Sequence, residues 1–113
     1  MDIIAEKLKD VCVLKLNGQL DSKTSLELED EILKIFTSDC FKIILDLENI
    51  DYVSSAGLRV LKKAKVLKES SCDVIACSAA DYVQELFEIS GIDAYIPIVS
   101  NKEDALKYFL IST

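Results

Sequence analysis

The chain has 113 residues, half of them hydrophobic, with 13 basic and 20 acidic side chains and no histidine. That length supports one domain with a substantial core, and the formal net charge of -7 repels a phosphate backbone, which sets nucleic-acid binding aside. The missing histidine removes Ser-His and Cys-His nucleophile activation together with histidine-held metals. No run approaches the roughly 20 apolar residues that cross a bilayer, so a soluble cytoplasmic protein without membrane insertion is expected.

In chain order, Met1 to Lys7 lacks the basic and long apolar regions of a signal peptide, and Ile3-Ile4 suits a short first strand pairing as a hairpin. Val11 to Leu16 is rich in β-formers and stops at Asn17-Gly18, a strong turn signal. Leu28, Ile32, Ile35 and Phe36 then follow helical spacing behind Asp21 or Ser22 as cap. Phe41 to Leu47 is nearly continuously apolar, the mark of a strand covered on both faces in a mainly parallel sheet, with Asp46 the anomaly near its end. A second helix is expected over Ser55 to Glu69, with Val60, Leu61, Ala64 and Leu67 inward.

Val74 to Cys77 reads as a short strand and Asp81 to Ser90 as a helix burying Val83, Leu86 and Phe87, closed by Gly91 as a left-handed cap. Tyr95 to Val99 reads as a last strand, which Pro97 marks as an edge or an end. A final helix, about Lys102 to Leu110, turns Ala105, Leu106 and Phe109 to one side. Strand-helix alternation implies a central sheet covered by helices. Cys12, Cys40, Cys72 and Cys77 contain no C-x-x-C pair, so they are expected to be buried or semi-buried thiols in a reducing compartment, with no metal and no cofactor.

The segment from Ile50 to Leu61 ends a strand, turns, and opens a helix with Ser54 and Ser55 at its mouth. A serine there satisfies an orphan backbone N-H as a cap. It also stands where free N-H groups and the helix dipole accept a phosphate. Both readings remain open from the residues alone. Arg59, Lys62, Lys63, Lys65 and Lys68 fall in one ten-residue window, while Glu27, Glu29, Asp30 and Glu31 crowd another. These are either two solvated helix faces or, for the basic window, a surface for an acidic partner. Gly57 serves close approach by a partner backbone or nucleotide, or packing within the domain.

With this order of elements, Ile43-Ile44-Leu45-Asp46-Leu47 followed by Tyr52-Val53-Ser54-Ser55-Ala56-Gly57-Leu58 resembles the STAS domain family, and within it the bacterial anti-sigma factor antagonists. Gly18-Gln19-Leu20-Asp21 and Ala105-Leu106 extend the resemblance over nearly the whole chain. The fold it implies is α/β, one STAS domain over residues 1–113, with a mixed sheet of four to five strands and about four helices mainly on one face. The function it implies is partner switching in transcription regulation. An unphosphorylated antagonist binds an anti-sigma factor serine kinase, which then frees its sigma factor, and a serine phosphatase reverses the phosphorylation.

The family's phosphorylated serine lies two residues before the Gly-Leu pair, which selects Ser55, with Ser54 as second choice. Many members have an Asp before that serine and a Ser after it, where this chain has Ser54 and Ala56. Asp21 matches an acidic loop residue that helps partner contact in relatives; its other reading is an N-cap. The expected partner surface takes in Asp21, Ser54, Ser55, Gly57, Leu58, Arg59 and Lys62. The expected protein is a phosphorylatable binding module without catalysis of its own. The alternative is a STAS subunit acting as a structural partner of a membrane transport complex, its serine only a cap.

Overall fold

The computed structural model describes residues 2–8, 10–36, 42–67 and 73–111. A five-stranded sheet is built from β1 (Asp2–Leu8), β2 (Val11–Leu20), β3 (Lys42–Val53), β4 (Asp73–Cys77) and β5 (Ile98–Val99), ordered β1-β2-β3-β4-β5. β1 and β2 form an antiparallel hairpin running from Asp2 opposite Asn17 to Leu8 opposite Val11. The remaining pairs are parallel. The crossovers that parallel pairing requires are helices: α1 (Thr24–Phe36), α2 (Ser55–Leu67) and α3 (Asp81–Ser90), with α4 (Lys102–Ile111) closing the described chain.

Side-chain alternation divides the interior in two. Leu14 and Leu16 of β2, Ile43, Leu45 and Leu47 of β3, and Val74 and Ala76 of β4 face the larger cluster, where α1, α2 and α3 bury Leu28, Ile32, Val60, Leu61, Val83 and Phe87. The opposite strand positions, Val11, Val13, Ile44, Ile75 and Cys77, meet Ala105 and Phe109 of α4. Three of the four helices therefore share one face, and β3, covered from both sides, is buried without a break from Ile43 to Leu47.

Asp46 lies at 7% exposure, its Oδ1 accepting the Glu48 N-H at 3.1 Å. Beside it in the register, Cys77 is a fully buried free thiol whose pKa burial pushes up, with the Asp46 charge adding to the effect. Cys12 is half-buried. Cys40 and Cys72 lie outside the described residues, as do the Phe41 start of the expected strand and the Glu69 end of the expected helix. The expected inward side chains of Phe36, Ala64 and Leu67 are likewise outside what is described.

Two expectations need correction. Asn17-Gly18 is not a turn: β2 runs through it to Leu20, with register shifts on both sides, and Gly18 takes φ +112°. Glycine supplies the backbone freedom of a bulge there, and the Asn49 amide donates across to Asn17 Oδ1 at 2.7 Å, so Asn17-Gly18 lies within the β2-β3 pairing. Tyr95 to Val99 is not one strand either. A 3-10 helix, Ile92–Ala94, follows α3, and only Ile98–Val99 pairs, at the edge expected from Pro97. Gly91 does close α3 in the left-handed region, φ +79°, its N-H donating to the Glu88 carbonyl oxygen at 3.2 Å.

Candidate functional site

The C-terminal ends of β2 and β3 bring the starts of α1 and α2 together. The Ser54 N-H donates to the Leu20 carbonyl oxygen at 2.8 Å, so the residue before Asp21 is tied directly to the residue before Ser55. Gly57 is buried in the first turn of α2 because Leu20 fills the space beside it. A Cβ at Gly57 would stand 2.8 Å from both the Leu20 Cγ and the Leu20 carbonyl oxygen. Of the two readings of Gly57, packing within the domain is the one realised, and Gly57 is not part of an exposed partner surface.

Each helix start is capped by a different residue type. At α1, Asp21 Oδ1 accepts the Lys23 and Thr24 N-H groups, both at 3.0 Å, and the Asp21 carbonyl oxygen accepts the Ser25 N-H at 2.9 Å. The Thr24 hydroxyl reaches back to accept the Asp21 N-H at 2.9 Å and donates to the Gln19 carbonyl oxygen at 2.6 Å. This reciprocal pattern is a capping box with threonine in the acceptor role. Hydrogen bonding from the Thr24 backbone, above all, holds the Asp21 carboxyl below the ordinary carboxylate value. Asp21 is thus the N-cap, half-buried beside the second helix start.

At α2 the capping oxygen belongs to Ser54, whose Oγ accepts the Gly57 N-H at 3.1 Å while its carbonyl accepts the Leu58 N-H at 3.0 Å. Ser55 is the first helical residue. It is exposed, and its hydroxyl makes no hydrogen bond to any described residue. The capping role thus falls to Ser54, and the Ser55 hydroxyl is left exposed beside it.

Beyond Ser55, Leu58 is half-buried and Arg59 and Lys62 are exposed. Ser55, Leu58, Arg59, Lys62 and Ser90 line a shallow depression of about 280 Å3 between α2 and the end of α3. On the other side of α2, Leu26, Glu29, Ala56, Arg59 and Lys63 belong to a groove of about 270 Å3 against α1. Lys63 reaches across it to Glu29 at 2.8 Å. The basic and acidic windows therefore partly neutralise one another; the side chains of Lys65 and Lys68 lie outside the described residues.

Sequence reasoning did not single out the surroundings of this edge. Leu26 is 61% exposed in the α1 groove, and Tyr52, 49% exposed, stands three residues before Ser55. Leu26 lies off the buried Leu28-Ile32 stripe of α1, which was the available signal for an outward apolar residue. Tyr52 falls at an outward position of β3 between buried Ile50 and Val53. Among the described residues no group of three His, Cys, Asp or Glu side chains is placed to hold a metal ion, and no helix is long and apolar enough to cross a membrane.

The sheet is five-stranded and mixed, an exposed serine opens its second helix, and the sequence model of the STAS domain covers residues 2–105. The chain belongs to the STAS domain family. It is 33% identical over 110 residues to a putative anti-sigma factor antagonist, BtrV, of Bordetella bronchiseptica, covering 96% of this chain and 95% of that one. It is 28% identical over 111 residues to the anti-sigma F factor antagonist of Paenibacillus polymyxa, covering 94% and 92%. In fold, this STAS domain superposes on an anti-sigma factor antagonist from Mycobacterium paratuberculosis with a TM-score of 0.87 at 20% identity, over 95% and 92% of the two chains.

Proposed function

We propose that this STAS domain is an anti-sigma factor antagonist, which binds a kinase-type anti-sigma factor through the α2 edge and is released when Ser55 is phosphorylated. The observation that carries the reading is the division of labour at the helix start: Ser54 caps, so the exposed Ser55 hydroxyl is free to react without dismantling the helix. The names of the relatives support the antagonist role.

In the switching step the γ-phosphoryl group of ATP passes to Ser55 Oγ, the bond to the ADP oxygen breaks, and the hydroxyl proton leaves to a base on the kinase. The product carries about -1.5 to -2 charge and three strong acceptors where a neutral hydroxyl stood. The helix start accommodates that charge, since its free N-H groups and dipole favour an anion, so the domain stays folded. The interface does not accommodate it, because a charge suited to water would have to be buried or paired. Hydrolysis by a serine phosphatase restores the binding form. The chain itself acts by binding and carries no catalysis in this scheme.

Intact-mass measurement after incubation with the kinase and ATP tests the covalent step, with one added phosphate expected in the wild type and none in Ser55→Ala. Calorimetry with the same partner tests the switch. Ser55→Ala should bind as the wild type does and Ser55→Asp more weakly, whereas equal affinities for all three would remove the proposal.

A further inference from the structure

Arg59 is the only arginine in the chain, and it is the one described residue that lines both depressions flanking α2. It is exposed and, unlike Lys63, makes no ion pair among the described residues; the same is true of Lys62. On a chain with net charge -7, two unpaired cations one helical turn apart form a local reversal of sign. Arginine presents a planar fork of donors that takes a carboxylate through two parallel bonds, which lysine cannot do. Beside the pair, half-buried Leu58 lines the same depression and supplies apolar contact of the kind that accompanies charged anchors at interfaces.

We propose that Arg59, with Lys62, docks an acidic segment of the partner, carboxylates flanking apolar side chains, and that phosphoserine at 55 disables this docking by claiming Arg59 for itself. This rests on the antagonist reading above and adds the chemistry of the partner to it. The geometry makes the two anions competitors. Ser55 and Arg59 are four residues apart at the start of α2, where side chains share a face with Cβ atoms about 5–6 Å apart and an anion N-terminal to a cation is the favourable order. A guanidinium folded back onto a phosphate has fewer donors left for a partner carboxylate. Phosphorylation then acts twice, placing charge in the interface and removing the group that reads the partner's charge.

The test uses each kinase-type anti-sigma factor of the organism that carries this chain, purified and titrated by calorimetry against the wild type, Arg59→Glu and Lys7→Glu. Lys7 is exposed on the edge strand β1, away from α2, so its reversal changes the net charge equally without touching the site. Thermal melts check that both variants fold. With a partner that binds the wild type, Arg59→Glu should weaken binding at least about ten-fold and Lys7→Glu less than about two-fold, with the Arg59 effect shrinking as salt rises. Equal losses in the two variants would mean a general charge effect and overturn the docking assignment. An unchanged affinity in Arg59→Glu would overturn it too, leaving the antagonist reading intact with an apolar interface. If no such anti-sigma factor binds the wild type, the antagonist reading itself falls and this proposal with it.

Discussion

Ser54 and Ser55 are neighbours in sequence with opposite employment: the Ser54 hydroxyl oxygen accepts the Gly57 N-H at 3.1 Å, and the Ser55 hydroxyl faces solvent. Their alanine variants should therefore separate in stability. Ser54→Ala leaves an orphan N-H in the first turn and is expected to cost about 1 kcal/mol, whereas Ser55→Ala is expected to stay within about 0.5 kcal/mol of the wild type. Urea denaturation of the two variants checks this, and the reverse ranking would mean that the capping assignment is mistaken.

Gly57→Ala sets two effects against each other. Alanine gains up to about 1 kcal/mol in helix propensity, but its Cβ would meet the Leu20 carbonyl oxygen and Cγ at 2.8 Å. The side chain of Leu20 can turn away; its backbone oxygen, fixed by the Ser54 N-H, cannot do so cheaply. Overpacking of this kind costs about 1–3 kcal/mol, so the substitution should be net destabilising by roughly 1 kcal/mol or more, read as a lower urea midpoint with an unchanged m-value. A more stable variant would show that α2 is free to lift from β2.

The lowered pKa of Asp21 makes the α1 cap sensitive to acid. Its folded-state value lies below its unfolded one, so its contribution is complete above the unfolded pKa and is lost as pH falls through the folded value. Asp21→Asn keeps a capping oxygen and removes the titration. Melting temperatures of wild type and Asp21→Asn should therefore differ most near neutral pH and converge as the solution is acidified through the carboxylate range. A gap that widens with acid would contradict the assigned direction.

Phosphoserine placed at 55 by amber suppression allows the Arg59 contact to be examined without a kinase. If the guanidinium stabilises the dianion, Arg59→Ala must raise the second phosphate pKa, which ordinarily lies near 6. The pair is exposed, so the rise should be only a few tenths of a pH unit and should diminish with salt. Phosphorus NMR titrations of the two phosphoproteins give the answer directly, and coincident curves would discard the contact.

Where burial and periodicity agree, the sequence was readable. The unbroken run from Ile43 to Leu47 announced a strand covered on both faces, and Gly91 after Ser90 announced the end of α3. The exposed Ser55 at a helix start was legible for the same local reasons. Asn17-Gly18 misled because a turn signal and a bulge signal use the same residues, and only the partner strand, through Asn49, decides between them. The burial of Gly57 was not legible either. It depends on how closely β2 and α2 approach, a distance between elements far apart in sequence that no local pattern encodes.

The strand order of the sheet repeats the order of the chain, so every strand pairs with one already made or next to be made. During synthesis the β1-β2 hairpin can close first, and β3 then adds to its free edge while α1 and α2 pack on one face. Leu20, Asp21, Ser54, Ser55 and Arg59 all belong to this leading part. The surface on which recognition is proposed is thus assembled from segments that leave the ribosome before β4, α3, β5 and α4, and these later segments arrive to wall in a structure whose business edge is already drawn.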